Sequence, residues 1–191
     1  MSAAADGYAR MAGTPAATLL HLGPGLANAG ANLHNAMRAA TTMLNILCDH
    51  ATYHRHLDAP LTSDIEGLAR TWSVWVRSAR DAASVAGDAA EAVRRAREGA
   101  GGIATLILPA DTAWNPAQEP APPQAVAARP VPGPDRIAAI AAMLRTGEPT
   151  LLLLHGDVLS DPAALDDIDR IAQATGAEFL TETSNARVER G

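Results

Sequence analysis

Short apolar runs alternate with helical patterns along the first 109 residues, and this alternation limits the possible folds more than any other feature. The apolar runs are typical of buried strands, and the segments between them carry apolar residues at helical spacing. Predicted strands cover residues 18–22, 43–48, 72–76 and 103–108, and predicted helices cover residues 3–12, 26–40, 64–70 and 81–97. Alternating strands and helices form parallel sheets. The sequence therefore predicts an α/β fold, a parallel sheet with helices on both faces.

Glycine and polar residues follow two of the predicted strands. Gly23-Pro24-Gly25 comes after the first strand, and Asp49 and His50 come at the end of the second. Because open parallel sheets bind ligands at the carboxyl ends of their strands, both segments are predicted at one ligand-binding edge. On the residues alone, the first segment favours a plain strand-to-helix turn over a phosphate site at a helix N-terminus. The segment does not match GxGxxG. It cannot be the phosphate loop GxxxxGK[ST] either, because the chain has no lysine.

The composition changes after residue 113. Prolines recur through residues 114–134, where large apolar residues are few, and such a segment is typical of an extended linker. A second α/β pattern follows, with predicted helices and strands at residues 135–144, 150–154, 162–175 and 178–180. We therefore expect one domain at residues 1–113 and the start of a second at residues 135–191. Two strands bury little surface and no strand precedes the first helix, so we expect a chain truncated at both ends.

Charge and cysteine content exclude several classes of protein. The formal net charge is -6 and the sequence pI is about 5.4, whereas proteins that bind nucleic acid present a basic face. No apolar run is long enough to cross a membrane. The lone cysteine, Cys48, excludes an internal disulfide, fits a reducing compartment and is predicted as a small core residue. We expect a cytoplasmic protein with no nucleic-acid or membrane partner.

A histidine-rich loop follows the second predicted strand. His50, His54 and His56 lie close together in it, but no cysteine or well-spaced carboxylate completes a set of metal ligands. Ser63 precedes a short predicted helix and Glu66 comes three residues later, so Ser63 is predicted as its N-cap. No GxSxG nucleophile elbow is present, which excludes a Ser-His-Asp hydrolase of that type. From the residues alone we assign no metal ligand and no catalytic residue.

Several motifs together resemble a known family. The segment AADGYARMAGTPAATLLHLGPGLANAGANLHNA resembles the pyrimidine-binding domain of thiamine-diphosphate enzymes of the acetolactate synthase group. In that group an AADGYAR helix leads to a strand, then to GPG-x-x-N and a second helix. The segments DHATYHRHLDAPLTSDIEGLAR and GIATLILPAD-x-x-W also fit, so the resemblance covers residues 3 to about 115. Residues 135–191 resemble the start of the family's central domain, which carries FAD in some members and is structural in others.

The resemblance implies a set of cofactor contacts. In the family, the Gly-Pro-Gly turn lies against the aminopyrimidine ring of thiamine diphosphate, because glycine allows a close backbone approach. Carried over to this sequence, the first segment gives His21, Gly23, Pro24, Gly25 and Asn28. A second contact in the family comes from a Gly-Gln pair after the next strand. Here Cys48-Asp49 stands at that place, so Asp49 and the following His50 are the candidates.

The resemblance also implies a reaction. Enzymes of this group decarboxylate a 2-keto acid and transfer the acyl group, as transferases or lyases with thiamine diphosphate and Mg²⁺. In the family a glutamate before the AADGYAR helix activates the cofactor, and a Gly-Asp-Gly…Asn pattern holds Mg²⁺ and the diphosphate. No acidic residue precedes Asp6 here, and that pattern is absent from the sequence. We therefore expect no activity from the chain alone and weak cofactor binding, and the resemblance implies a homo-oligomer.

Three alternatives stay open. The first is a benzoylformate decarboxylase or 2-hydroxyacyl lyase of the same family. The second is a non-catalytic fragment that pairs with a complete subunit. The third, a dinucleotide-binding fold, is disfavoured because GxGxxG is absent. Apolar residues on the predicted helix at 26–40, among them Leu33 and Met37, exceed what one buried face needs, which predicts an exposed patch that drives self-association.

Overall fold

The computed structural model describes residues 1–189, and a four-stranded parallel sheet is the centre of its first unit, Met1–Ala127. The strands of this unit are β1 Ala16–His21, β2 Met43–Asp49, β3 Ser73–Ser78 and β4 Ile103–Pro109. Its helices are α1 Ser2–Ala12, α2 Leu22–Arg38, α3 Ile65–Arg70 and α4 Val85–Arg97. The strand order is β1-β2-β4-β3, and every neighbouring pair is parallel. The predicted α/β fold is confirmed.

Helices cover both faces of this sheet. One face packs against α1, α2 and α3 around a core that includes Leu26, Leu33, Met43, Leu47 and Ile107. The other face packs against α4, where small and branched side chains meet: Ala92, Ala96, Ala104 and Leu106. Alternate residues of the central strands point to opposite faces, so one short apolar strand contributes to both cores.

A line of buried polar side chains crosses all four strands on the α2 side of the sheet. Thr18 Oγ1 donates to Asn45 Oδ1 at 2.7 Å, and Asn45 Nδ2 lies 3.4 Å from Thr105 Oγ1. Thr105 Oγ1 is in turn 2.8 Å from Ser73 Oγ. Asn45 and Thr105 are fully buried, so these hydrogen bonds satisfy groups that would otherwise lose their contact with water at a cost.

An ion-pair network fixes α4 to the edge strand β3. Arg77 on β3 contacts Asp88 at 2.8 Å and Glu91 at 2.7 Å, and its guanidinium lies 5.0 Å from the centre of the Trp75 ring. Burial disfavours the charged form of Glu91, but Arg77 and Arg95 more than offset this and lower the pKa of that carboxyl. The hydrogen bond that Arg77 donates to Asp88 outweighs burial and raises the pKa of Arg77.

Two helices begin four residues from their predicted starts. The helix after β1 begins at Leu22, so Gly23-Pro24-Gly25 forms its first turn and is not a separate turn before it. Proline is tolerated there because the first N–H groups of a helix have no intrahelical acceptor. The fourth helix begins at Val85 and not at residue 81, because residues 82–84 form a turn.

The cap of α3 also differs from its prediction. Asp64 is the N-cap, and its carboxylate accepts a hydrogen bond from the Gly67 amide at 2.8 Å. The predicted cap, Ser63, instead lies 3.4 Å from the Leu61 carbonyl oxygen. Both serine and aspartate are favoured N-caps, so the sequence pattern could not choose between neighbouring candidates.

The prediction of an exposed apolar patch on the helix at residues 26–40 is wrong. Leu26, Leu33 and Ala36 are buried in the core under the sheet, and Met37 is half-buried against the same cluster. The sequence count overestimated the exposed apolar surface because a helix packed between a sheet and two other helices buries a wide apolar stripe.

The second unit begins at Ala128 and contains two helices and two strands. They are α5 Pro134–Leu144, β5 Leu151–Leu154, α6 Pro162–Thr175 and β6 Glu178–Thr181, and the two strands pair in parallel. Leu159 and Ile168 are buried, whereas Leu153, Phe179 and Leu180 are exposed. In residues 1–189, none of the helices combines the length and apolar character that membrane crossing requires.

Candidate functional site

A cavity of about 730 Å³ opens at the carboxyl ends of β1, β2 and β4. The strand register brings these ends together, because His21 pairs with Cys48 and Asp49 pairs with Pro109. The wall is contributed by the strand ends and by the loops that follow them, including aromatic residues Tyr53 and Trp114. The cavity therefore lies where an open parallel sheet binds its ligands.

The structure brings three of the predicted cofactor contacts to this cavity. His21 ends β1, Asp49 ends β2, and His50 begins the next loop; all three line the wall. The other predicted contacts lie in the first two turns of α2, outside the lining found for the described residues: Gly23, Pro24, Gly25 and Asn28.

The turn from β1 into α2 contains an unusual backbone conformation. Leu22 has a φ of 55°, in the left-handed region that a bulky side chain rarely adopts, and it is buried and lines the cavity. Strained residues of this kind occur often at ligand sites. The strand therefore leaves the sheet through a sharp elbow that places His21 at the cavity wall.

Packing within the chain requires a glycine at position 23. A Cβ placed on Gly23 would lie 1.8 Å from Ser63 Oγ, so the space that glycine leaves is filled by the loop before α3. A Cβ on Gly25 would make only ordinary contacts, the nearest 3.5 Å from the Leu20 carbonyl carbon. At these two glycines, the group nearest to an added Cβ is the Ser63 side chain, beside Gly23.

Several polar contacts hold the loop that follows β2. The Asp111 carboxylate accepts hydrogen bonds from the Thr52 amide at 2.9 Å and from Thr52 Oγ1 at 2.6 Å. Arg55 forms an ion pair with Asp49 and donates to Ser78 Oγ at 2.9 Å. The Thr52 hydroxyl, followed by the Thr52 amide, lowers the pKa of Asp111, so this carboxyl stays ionised at neutral pH.

Sequence reasoning missed Asp111, Thr52 and Arg55. The signal for Asp111 was present in the quoted motif LPAD, because a carboxylate directly after β4 must lie at the same edge as Asp49. Thr52 and Arg55 lie in a loop, and no periodic pattern predicts which loop side chain turns inward.

Two imidazole rings stand side by side in the cavity wall. The rings of His50 and His54 have centroids 5.5 Å apart and are tilted by 45°. His50 Nε2 is buried and has no hydrogen-bond partner among the described residues.

Cys48 is half-buried at the cavity, so its prediction as a core residue is wrong. Residues 1–189 contain no group of three His, Cys, Asp or Glu side chains placed to hold a metal ion.

The donors and acceptors of the cavity suit a flat polar heterocycle. Imidazoles of His21, His50 and His54 can each donate or accept a hydrogen bond, depending on their tautomer. Apolar and aromatic side chains supply the rest of the wall, among them Leu22, Leu61, Val85 and Trp114. A mostly apolar wall with a few convergent polar groups is the usual form of a small-molecule site.

Comparisons with known proteins identify similar sequences. Residues 1–69 match the family described as thiamine pyrophosphate enzyme, N-terminal TPP binding domain. The chain is 51% identical over 191 residues to a Mycobacterium tuberculosis (strain ATCC 25618 / H37Rv) protein described as "Putative acetolactate synthase large subunit IlvX". That match covers 98% of this chain and 36% of the relative, so the chain spans about a third of the length of this curated relative.

Solved structures share the fold over nearly the whole chain. A "putative thiamin diphosphate-dependent enzyme" from Mycobacterium smegmatis is 27% identical with a TM-score of 0.85, and the match covers 98% of this chain and 36% of that one. A thiamine diphosphate-dependent 4-hydroxybenzoylformate decarboxylase from Rhodococcus jostii RHA1 is 21% identical with a TM-score of 0.81, over 96% of this chain and 36% of that one. The second likeness is one of fold alone.

Proposed function

We propose that the cavity of this chain, which is similar to thiamine pyrophosphate enzymes, binds the aminopyrimidine ring of thiamine diphosphate. The observation that carries the proposal is the convergence of His21, Asp49 and His50 on one cavity at the carboxyl edge of the sheet. These residues come from two separate segments of the family motif, and the parallel register brings them together.

The residues present fit a pyrimidine ring. A ring with an amino group and two ring nitrogens needs donors and acceptors at its edge, and the imidazoles supply both. The buried, unpartnered Nε2 of His50 is a polar atom at this wall that a ligand or a rearranged ring could satisfy. Ser63 fills the space at Gly23, so the ring contacts that we propose come from His21, Asp49 and His50. We propose that the Gly-Pro-Gly segment and Asn28 shape the elbow.

The finer function rests on the relatives. We propose that the chain supplies the pyrimidine-binding part of an acetolactate synthase-like enzyme, a transferase or lyase acting on a 2-keto acid. Thiamine diphosphate, when bound, supplies a carbanion-stabilising centre for such chemistry. The chain's own residues would bind and orient the pyrimidine, while His21 and His50 hold or exchange protons at the ring edge. Its Mg²⁺ and any FAD would be held by residues outside those described here.

The proposal predicts how two related ligands compare. We expect thiamine and thiamine diphosphate to bind the 191-residue chain with affinities within about threefold of each other, because only the shared pyrimidine meets the cavity. Both should bind weakly and without dependence on Mg²⁺, since the described residues contain no group of three side chains placed to hold that ion beside a diphosphate. Titrations followed through the histidine ring resonances would measure both affinities.

A matched pair of histidine variants provides the control. We expect His50→Ala to abolish the ligand-dependent shifts of the remaining histidine ring resonances, whereas His34→Ala should leave the ligand-dependent shifts unchanged. His34 is exposed on α2 and contacts only its neighbour Asn35 among the hydrogen bonds found here. Tight Mg²⁺-dependent binding, or shifts that survive in His50→Ala, would contradict the proposed site.

A second prediction concerns catalysis by the isolated chain. We expect no acetolactate formation from pyruvate with thiamine diphosphate and Mg²⁺, because the described residues contain no group of three side chains placed to hold Mg²⁺. The assay is colorimetric detection of acetoin after acid decarboxylation, on protein made in a host that lacks its own acetolactate synthases. Turnover that follows the purified chain through two further columns would show this expectation to be false.

A further inference from the structure

The segment between β2 and α3 carries much of the cavity wall yet has little regular structure. His50, Tyr53 and His54 of this segment line the cavity, and its only helical piece is a single 3-10 turn, Arg55–Leu57. A long irregular segment loses conformational entropy when it is held in one arrangement. Specific contacts must therefore fix where His50 stands.

The contacts that fix this segment start from the ends of the neighbouring strands. Asp111 follows β4, and both of its carboxylate oxygens accept hydrogen bonds from Thr52, two residues after His50. Ala51, between His50 and Thr52, is buried. Its carbonyl oxygen accepts a hydrogen bond from the His54 amide nitrogen at 2.8 Å, which closes a tight turn. The chain from His50 to His54 is thus tied to β4 through one side chain.

A second contact restrains the same turn from the other side. Arg55 forms an ion pair with Asp49, and it also donates to Ser78 Oγ at the end of β3. The Asp49 Oδ1 atom accepts the His50 amide at 2.7 Å. The turn is therefore held at the ends of β2, β3 and β4, and Asp111 supplies two hydrogen bonds to it.

We propose that Asp111 is a positioning residue, which holds the turn at Thr52 so that the His50 ring stands at the cavity wall. Asp111 is itself buried, and the described lining contains its neighbours Ala110 and Thr112 but neither Asp111 nor Thr52. Asp111 would thus act on a ligand through the turn that carries His50, and not by direct contact. The role toward the cofactor rests on the proposed function, whereas the placement of His50 does not.

The ionised state of Asp111 suits this role. A carboxylate that accepts an amide and a hydroxyl forms two charge-assisted hydrogen bonds, which are stronger than neutral ones. Removing the carboxylate leaves the Thr52 amide and hydroxyl without their acceptor, while an asparagine keeps one oxygen that can accept the amide. Alanine and asparagine at this position therefore separate loss of the contact from loss of charge.

The first arm of the test uses the free chain. Hydrogen exchange of a peptide covering residues 50–57 should be at least about tenfold faster in Asp111→Ala than in the parent chain, and the His50 ring resonances should shift. Asp111→Asn should restore most of the protection, and Thr52→Val, which removes only the hydroxyl, should give an intermediate rate. Asp161→Ala, a helix-cap carboxylate that accepts the Ala163 amide in the second unit, is the control and should leave this peptide unchanged. Unchanged exchange and unchanged His50 resonances in both Asp111→Ala and Thr52→Val would overturn the proposal.

The second arm measures thiamine affinity through the His50 resonances. We expect Asp111→Ala to weaken it by about tenfold and Asp111→Asn by less than about threefold, as for other residues that orient a ligand-binding group. If the parent chain shows no thiamine-dependent shift, the proposed function fails while the first arm still decides the positioning role. If the parent binds and Asp111→Ala binds equally well with faster exchange, Asp111 holds the loop only and the positioning role is overturned.

Discussion

Replacing Leu33 with alanine is expected to lower the free energy of unfolding of the first unit by about 3 kcal/mol, within the 2–5 kcal/mol usual for buried leucines. Leu33 is 1% exposed, and it packs between α2 and the sheet in the main core. The loss combines the transfer of apolar atoms with the cavity that a tightly packed core cannot close. Urea unfolding followed by far-UV circular dichroism would measure it, read on the transition of the first unit.

Leu19→Ala is the matched control for this experiment. Leu19 is 63% exposed on β1, so the same chemical change should cost less than about 1 kcal/mol. Equal losses in the two variants would mean that α2 does not face the sheet as described. If Leu33→Ala instead dissociated an oligomer without changing stability, the side chain would be an interface residue and the buried position would be wrong.

The second large effect concerns the polar line across the sheet. Asn45→Ala is expected to destabilise the first unit by about 2–3 kcal/mol, because it leaves the Thr18 hydroxyl buried without the acceptor shown here. Thr105 keeps its contact with Ser73, so most of the loss should arise on the β1 side. The same urea experiment would measure it, with the exposed Asn35→Ala as control.

A double-mutant cycle separates the hydrogen bond from packing. If the Thr18–Asn45 hydrogen bond carries the effect, the double variant Thr18→Val/Asn45→Ala should lose less free energy of unfolding than the two single variants together. The difference should be about 1 kcal/mol or more. Strict additivity would show that Thr18 and Asn45 contribute independently. The hydrogen bond would then have no measurable share in stability.

The strands and the parallel sheet could be predicted from the sequence. Its central strands, β2 and β4, are short and apolar, and each ends at a polar residue or a proline. Period and length decide such elements, and tertiary contacts do little to move them. The same reasoning predicted Asp49 and His50 at the carboxyl edge, whereas His21 was implied by the family resemblance; all three line the cavity.

Other features depend on contacts that no local pattern contains. The left-handed Leu22 is held in place by the surrounding fold, since leucine has no preference for that region. The contact of Ser63 with the space at Gly23 joins residues 40 positions apart, and the Asp111–Thr52 contact joins residues 59 positions apart. Residue type at one position cannot reveal a partner chosen by packing at that distance.

The strand order has a consequence for how this chain is made on a ribosome. β4 lies between β2 and β3, although β4 is translated last of the four. After β2 and β3 have emerged, each exposes an unpaired edge until β4 is synthesised and inserts between them, and such edges invite pairing with other chains. The contact between Asn45 and Thr105 spans 60 residues and cannot form before then. The nascent chain should therefore be most vulnerable to aggregation while residues 79–109 are being translated, and a pause there would favour misassembly.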